Sequence, residues 1–321
     1  MRIDELEAVR LGETEQWIRI RGMDVANPVL LLIQQGPGLP MINEARRFER
    51  VLGLEQDFTV EYWDQRGCGR SLRGQKSAAL SLKLMVYDTV ALLESLRERF
   101  ASKVLVAGFS LGATIGALAA GRRPDLIATL VAVGMDIDGP AAETRAYDFA
   151  LATAHEHGPT RAVRQLEEIG PPPHLRADQF TTRVRWASDF GGVNRSANYA
   201  SMVRGLLASL LSSRDYSVAD VVLTIRGIAP TQEALLPELA RMDLASMLTR
   251  IEVPVVMVQG RHDQVAPIAA AQQYVDLLEA SSKQLVWFEN SAHMPHLEEP
   301  VRFVRFFRLL AQVRAGLAPA P

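Results

Sequence analysis

The sequence predicts an α/β fold: a mostly parallel central sheet flanked by helices, with a helical lid inserted into the chain. Short apolar runs, such as residues 29–33 and 104–107, alternate with longer amphipathic patterns, as buried parallel strands alternate with helices. The strand signal stops at about residue 139 and helical periodicity takes over. Strand patterns return at residue 253. We therefore expect one α/β core that is interrupted by an all-helical segment.

Chain length and composition agree with this division. The chain has 321 residues, of which 48% are hydrophobic, so it can bury a large core and exceeds the usual size of a single one. We predict a core formed by residues 1–138 and 247–321, and a lid formed by residues 139–246. Between residues 141 and 240 there are eleven acidic residues, ten arginines and no lysine, so the lid has no marked charge excess.

Charge, cysteine content and hydropathy exclude several classes of protein. A formal net charge of −2 provides no electrostatic footprint for nucleic acid. The lone Cys68 excludes an intramolecular disulfide and is typical of a reducing compartment. The first residues are charged, and no run reaches the roughly 18 to 20 apolar residues of a membrane span. We expect a cytoplasmic protein with a small-molecule substrate, no nucleic-acid or membrane partner and no cofactor or metal, and leave homo-oligomerisation open.

The first part of the chain predicts a hairpin, a buried strand and a glycine-rich loop. Residues 7–22 alternate polar and apolar residues, as an antiparallel hairpin does. The buried strand at 29–33 runs into Gln34-Gln35-Gly36-Pro37-Gly38, a loop whose backbone amides can face a ligand. We interpret the Gly36 amide as one donor of an oxyanion hole, and Gln34 and Gln35 as substrate-binding candidates. An ordinary turn is the alternative.

Residues 42–52 have a helical pattern, and residues 58–63 predict a strand that runs into Asp64-Gln-Arg-Gly-Cys-Gly-Arg-Ser71. This octapeptide lacks the Gly-Lys-Ser/Thr ending of a phosphate-binding loop, and no helix clearly begins there. Residues 81–100 form a long amphipathic pattern and predict the helix that precedes the next strand.

The segment that follows carries the candidate nucleophile. Its strand pattern breaks at Gly108-Phe-Ser-Leu-Gly112 and continues as a helix of small residues. This is the Gly-x-Ser-x-Gly pattern between a strand and a helix, where a tight turn would expose the hydroxyl of Ser110 above the sheet edge. The Leu111 amide would then be the second oxyanion donor, and Phe109 a substrate-binding candidate.

A serine hydroxyl needs a base, and the base needs a group that orients it. The predicted strand at 253–259 ends in Gly260-Arg-His-Asp263, and the strand at 284–288 is followed by Glu289-Asn-Ser-Ala-His293. Nucleophile, acid and base thus occur in the order Ser110, Asp263, His293.

Other residues compete for these roles. His262 adjoins Asp263 and His296 closely follows His293, so each is an alternative base, although we expect His296 to begin a helix at residues 296–313. Asp136 and Asp138 follow the strand at 128–133 and are alternative acids. Asp263 could instead cap the helix that follows it.

Together, the Gln-Gln-Gly-Pro-Gly loop, the octapeptide at 64–71 and the Gly-x-Ser-x-Gly segment resemble the α/β-hydrolase superfamily, specifically its proline iminopeptidase (prolyl aminopeptidase) branch. The resemblance covers about residues 5–135 and 245–310, and its implied fold is the α/β-hydrolase fold with an inserted lid. It assigns the acid to Asp263 and the base to His293. Three positions depart from that branch: Gln34-Gln35 replaces His-Gly, and Leu111 replaces Trp.

The resemblance implies a serine hydrolase that cleaves an ester or amide bond of a small substrate through an acyl-enzyme. An aminopeptidase lid would present acids to the substrate amine, and Glu143, Glu167, Glu168 and Asp189 are candidates. Each is equally well interpreted as a solvated position paired with arginine. The changed loop slightly favours esters. An esterase or lactonase for a specialised metabolite, or a non-catalytic ligand receptor on the same scaffold, are the alternatives.

Overall fold

The structure, a computed structural model, describes residues 1–73 and 80–314. The last part of the predicted core, residues 315–321, lies outside the described residues. The strands in the described part of the chain are β1 Ile3–Leu11, β2 Thr14–Gly22, β3 Val29–Ile33, β4 Thr59–Asp64, β5 Val104–Phe109, β6 Ile127–Val133, β7 Arg250–Ile251, β8 Val255–Gly260, β9 Glu279–Ala280 and β10 Lys283–Phe288.

Eight of these strands form one sheet in the order β1-β2-β4-β3-β5-β6-β8-β10. The first two strands form the predicted hairpin, and β2 pairs antiparallel with β4. Every pairing from β4 to β10 is parallel, which confirms the predicted mostly parallel sheet. The two-residue strands β7 and β9 form a separate parallel pair.

The α-helices of the described chain are α1 Ala45–Val51, α2 Leu82–Phe100, α3 Leu111–Arg122, α4 Gly139–His157, α5 Thr160–Ile169, α6 Ala177–Asp189, α7 Tyr199–Ser212, α8 Val218–Leu239, α9 Leu244–Met247, α10 Ile268–Leu277, α11 Pro295–Glu298 and α12 Pro300–Arg314. The prediction of one helix over 296–313 was wrong in detail, because two helices, α11 and α12, occupy this region and Glu299 separates them. Glu299 precedes Pro300, and the proline ring disfavours helical geometry in the residue before it.

The sheet is covered on both faces, which explains its uninterrupted apolar strands. Side chains alternate along β3: Leu31 and Ile33 belong to one hydrophobic core, and Leu30 and Leu32 to another on the opposite face. All five residues of β3 and all six of β5 are buried. Because the strands from β4 to β10 are parallel, their carboxyl ends lie at one edge of the sheet. The loops that follow them carry the polar side chains.

The octapeptide at 64–71 connects separate parts of the chain through hydrogen bonds of its first residue. Asp64 is buried at the end of β4 and accepts hydrogen bonds from the amides of Met41 and Ile42, at 2.9 and 3.0 Å, and of Arg70, at 2.8 Å. The hydroxyl of Tyr216, which lies between α7 and α8, also donates to Asp64. The motif thus ties a core strand to the helical segment after β6.

A second network of buried polar side chains includes Arg66 of the same octapeptide. Arg66 makes two hydrogen bonds of 2.8 Å to the buried carboxylate of Asp88 on α2. Gln16 donates to Asp88 at 2.5 Å and accepts from the indole of Trp63 at 3.1 Å. These contacts satisfy a buried charge pair with further hydrogen bonds.

Candidate active site

Ser110 occupies a strained turn between β5 and α3. Its backbone has φ of +51° and ψ of −122°, a conformation that a residue with a side chain rarely adopts. A Cβ on Gly108 would lie 2.3 Å from the Gly112 carbonyl oxygen, and a Cβ on Gly112 would lie 2.2 Å from that of Gln34. Glycine is therefore required two residues before and two residues after the serine, because neighbouring backbone leaves no room for a side chain.

His293 and Asp263 are in contact at the ends of neighbouring strands. The ring Nδ1 of His293 lies 2.8 Å from Oδ2 of Asp263, and both side chains are buried. Oδ1 of Asp263 accepts the amides of Val265 and Ala266 at 2.8 and 2.9 Å, so Asp263 also holds the turn before α10. Gln259 donates to Oδ2 at 2.9 Å.

The end of β6 brings Ser110 and His293 together. The Ser110 amide donates to the carbonyl of Val133 at 2.8 Å. The next residue, Gly134, has φ of +54°, and a Cβ there would lie 3.0 Å from Nδ1 of His293. The serine and the imidazole thus flank the same strand end.

The Ser110 hydroxyl donates to Asp136 rather than to His293. Its Oγ lies 3.3 Å from Oδ2 of Asp136, and no hydrogen bond joins Ser110 to His293 among the described residues. The Asp136 carbonyl is itself fixed by the Thr114 hydroxyl at 2.6 Å. Catalytic hydrogen bonds are often long or poorly aligned without substrate, so this geometry does not rule out His293 as the base.

Two pKa shifts follow from this geometry. Burial opposes the charged form of His293, but the charge and hydrogen bond of Asp263 outweigh it, and the pKa of His293 is raised. Burial raises the pKa of Asp136, and the nearby His293 acts in the opposite direction. The imidazolium that would form during proton transfer is therefore favoured by two carboxylates.

Apart from Asp136, the competing residues make contacts away from Ser110. Asp138 accepts the Ala141 amide at 2.9 Å and caps α4. His262 is exposed and lines a cleft of about 310 Å³ together with residues of the helical segment after β6, which include Phe149 and Phe190. His296 is buried in an aromatic cluster, 4.6 Å from the ring of Phe109, and burial lowers the pKa of His296 to about 3.

The remaining residues predicted to form the site lie on the loop after β3 or next to Ser110 in the chain. Gly36 has φ of +61°, and Leu111 is the first residue of α3, so its amide has no acceptor within the helix. Gln34 is buried, and its Oε1 has no hydrogen-bond partner in the described chain, whereas Gln35 is partly exposed. The ring of Phe109 packs with the rings of Phe48, His296 and Phe303. Its contact with substrate stays a prediction.

Residues that sequence patterns did not reveal hold His293 in place. The His293 amide donates to the carbonyl of Val193 at 3.0 Å, and the Gln264 amide donates to that of Gly192 at 3.0 Å. Glu298 accepts the amides of Ala292 and Met294, at 3.0 and 3.2 Å. These are mainly backbone contacts between distant segments, and neither composition nor periodicity signals them.

A buried charged cluster occurs in the helical segment. Arg183 on α6 donates to Glu143 on α4 at 2.6 Å, and both side chains are largely buried. Glu143 is thus paired with arginine, as one of its two interpretations held, but it is largely buried rather than solvated. Glu167 and Asp189 are exposed positions. Burial lowers the pKa of Arg183, and Glu143 opposes this shift.

Comparison with known proteins identifies the family. Residues 38–306 match the family described as the alpha/beta hydrolase family. The chain belongs to the α/β-hydrolase family. It is 31% identical over 302 residues to a probable aminopeptidase, YbaC, of Bacillus subtilis (strain 168), covering 93% of both chains. It is 25% identical over 281 residues to the proline iminopeptidase of Heyndrickxia coagulans, covering 86% of this chain and 88% of the relative.

Solved structures confirm the α/β-hydrolase fold. A proline iminopeptidase-related protein from Thermus thermophilus superposes with a TM-score of 0.65 at 21% identity, covering 99% of this chain and 100% of that one. The proline iminopeptidase of Mycobacterium smegmatis gives a TM-score of 0.62 at 19% identity, covering 96% and 98%. The chain is thus a hydrolase that resembles proline iminopeptidases.

Two kinds of feature are absent from the described residues. None of their helices combines the length and hydropathy that a bilayer crossing needs. They also contain no group of three or more histidine, cysteine or acidic side chains arranged to hold a metal ion.

Proposed function

We propose that this α/β hydrolase is a serine hydrolase that cleaves an ester or amide bond of a small substrate through an acyl-enzyme. Ser110 is the nucleophile, His293 the base and Asp263 the acid that orients it. The observation that carries the proposal is the buried contact between His293 and Asp263 beside a serine held in nucleophile-elbow geometry.

In this mechanism Ser110 rotates away from Asp136 and attacks the substrate carbonyl carbon while His293 takes its proton. Asp263 holds the proton on Nδ1, leaves Nε2 free to accept, and stabilises the imidazolium. The amides of Gly36 and Leu111 bind the developing oxyanion, each donor being worth roughly 3 kcal/mol if it resembles measured cases. His293 then returns the proton to the leaving group, and water releases the acyl group by the same route.

We further propose that residues 139–246 act as a lid that covers this site and excludes water. Its support is direct contact with the proposed catalytic loops: the carbonyls of Val193 and Gly192 accept the amides of His293 and Gln264. Gln34 and Gln35 lie on the loop before Gly36 and are the proposed substrate contacts on the core side.

The experiment compares wild-type enzyme with Ser110→Ala, using activated p-nitrophenyl esters and a fluorophosphonate probe. The proposal requires a burst of p-nitrophenol and stoichiometric labelling in the wild type, and loss of both in the variant. Ser71→Ala is a matched control, since Ser71 is a buried serine that hydrogen-bonds backbone groups of β2 and β4. Labelling that persists in Ser110→Ala would refute the assignment, and a wild type without burst or labelling would favour a ligand receptor.

Ester and amide substrates are separated by direct comparison. Aminoacyl anilides, acyl esters of similar size and lactones are assayed under the same conditions. Faster cleavage of proline or alanine anilides would support an iminopeptidase-like activity, as the relatives' names suggest. Faster cleavage of neutral esters would support an esterase.

A further inference from the structure

Asp136 is a carboxylate at the nucleophile that the mechanism above leaves without a role. It lies just beyond β6, and the only hydrogen bond that its carboxylate accepts within the described chain comes from the Ser110 hydroxyl, at 3.3 Å. Its backbone carbonyl accepts the Thr114 hydroxyl at 2.6 Å, so the main chain that carries the carboxylate is anchored to α3. A partly buried carboxylate with so few partners is costly unless another group binds it.

The other charges around the site are already paired. Asp263 contacts His293 at 2.8 Å, and Glu143 holds Arg183 at 2.6 Å. Arg183 and His293 are near enough to Asp136 to influence it, but neither forms an ion pair with it in the described chain. The carboxylate of Asp136, adjacent to Ser110, therefore has no ion-pair partner in the described chain, and its electrostatic complement is a substrate cation.

The position of that charge limits which cation it can receive. With bonds of about 1.5 Å, the α-nitrogen of an aminoacyl group lies about 2.5 Å from its carbonyl carbon. A carbonyl carbon ready for attack lies about 3 to 3.5 Å from Ser110 Oγ. Asp136 Oδ2 lies 3.3 Å from the same Oγ, so one small rotation places an α-ammonium within ion-pair distance of the carboxylate.

We propose that Asp136 binds the protonated α-amine of an aminoacyl ester or amide and, in doing so, releases the Ser110 hydroxyl to His293. The ammonium takes over as the donor to Asp136, and the hydroxyl, no longer held there, turns its proton toward Nε2. The site thus recognises the substrate amine from the loop after the core strand β6 rather than through the lid acids. This inference rests on the acyl-enzyme function proposed above.

The first test uses two substrates that differ only in the amine, L-alanyl-7-amido-4-methylcoumarin and its propionyl analogue. We expect the wild type to prefer the alanyl compound in kcat/KM by at least tenfold, and Asp136→Asn to reduce that preference at least tenfold. Asp138→Asn removes a carboxylate two residues away that caps α4, and should leave the preference unchanged. Equal losses on both substrates would instead mean that Asp136 only supports the imidazolium, and would overturn the proposal.

The second test measures binding without turnover. Calorimetric titration of the Ser110→Ala variant should show saturable binding of L-alaninamide and at least tenfold weaker binding of propionamide. The difference should disappear in the Ser110→Ala, Asp136→Asn double variant. Failure of alaninamide to bind more tightly than propionamide would refute amine recognition, even if fluorophosphonate labels Ser110. Absence of labelling together with selective binding would refute the acyl-enzyme and retain the amine site.

Discussion

The geometry around Asp263 makes the effect of Asp263→Asn specific. Oδ1 accepts the amides of Val265 and Ala266 and must remain an oxygen. The asparagine NH₂ would therefore take the place of Oδ2, 2.8 Å from Nδ1 of His293. A donor at that place moves the ring proton to Nε2, the nitrogen that accepts the proton of Ser110 in the proposed mechanism. Gln259 can turn its unpartnered Oε1 toward the new NH₂, so the fold tolerates the change.

The expected loss is about 10⁴-fold in kcat, the size found for this exchange in another triad, which corresponds to about 5.4 kcal/mol. The pH profile should move as well. The proposed mechanism needs neutral His293, so kcat/KM should rise with pH through a pKa that Asp263 holds above the ordinary 6.5. Without the carboxylate, burial still lowers the pKa of His293, so the acidic limb shifts to lower pH.

The assay is the pH dependence of p-nitrophenyl ester hydrolysis, with the melting temperature as a control for folding. A loss of less than tenfold in a folded variant, or an acidic limb that stays in place, would refute the orienting role of Asp263.

Three further predictions follow from the packing. Gly112→Ala should give insoluble or inactive protein in expression and burst assays, because its Cβ would lie 2.2 Å from a backbone oxygen; wild-type kinetics would contradict this. Arg66→Ala should lower the free energy of unfolding by about 3 to 5 kcal/mol in urea titrations, since it leaves the buried carboxylate of Asp88 without its cationic partner. Arg250→Ala removes an exposed ion pair with Glu252 and should lower the free energy of unfolding by less than about 1 kcal/mol. Equal losses of stability in the two variants would refute the distinction between buried and exposed ion pairs. Gln34→Met should raise the melting temperature by removing a buried oxygen without a partner, while lowering kcat/KM; an unchanged kcat/KM would exclude a role in substrate binding.

Sequence patterns predicted the sheet well because its strands are buried on both faces. Continuous apolar runs such as β3 and β5 have few alternative structures, and glycines around Ser110 mark a turn that only one backbone conformation satisfies. The motif order likewise predicted which strand ends carry Asp263 and His293. Local sequence was sufficient there, because each of these features depends on residues that are close together in the chain.

Contacts between distant segments could not be predicted in this way. Asp136 was considered only as an alternative acid, because the rotamer of Ser110 that points toward it depends on packing at the sheet edge. For Glu143 the sequence left a substrate contact and a solvated position open, because its burial against Arg183 depends on how α4 and α6 pack together. The pairing of Val193 with His293 joins backbone groups, which leave no trace in residue identity.

The central claim is tested most directly by trapping the covalent intermediate. Wild-type enzyme is mixed with a slowly released p-nitrophenyl ester, quenched in acid, and its peptides are mapped by mass spectrometry. The account predicts the mass of one acyl group on the peptide that contains Ser110, and none in Ser110→Ala. An unmodified Ser110 peptide during steady-state turnover, or acylation at another residue, would contradict it.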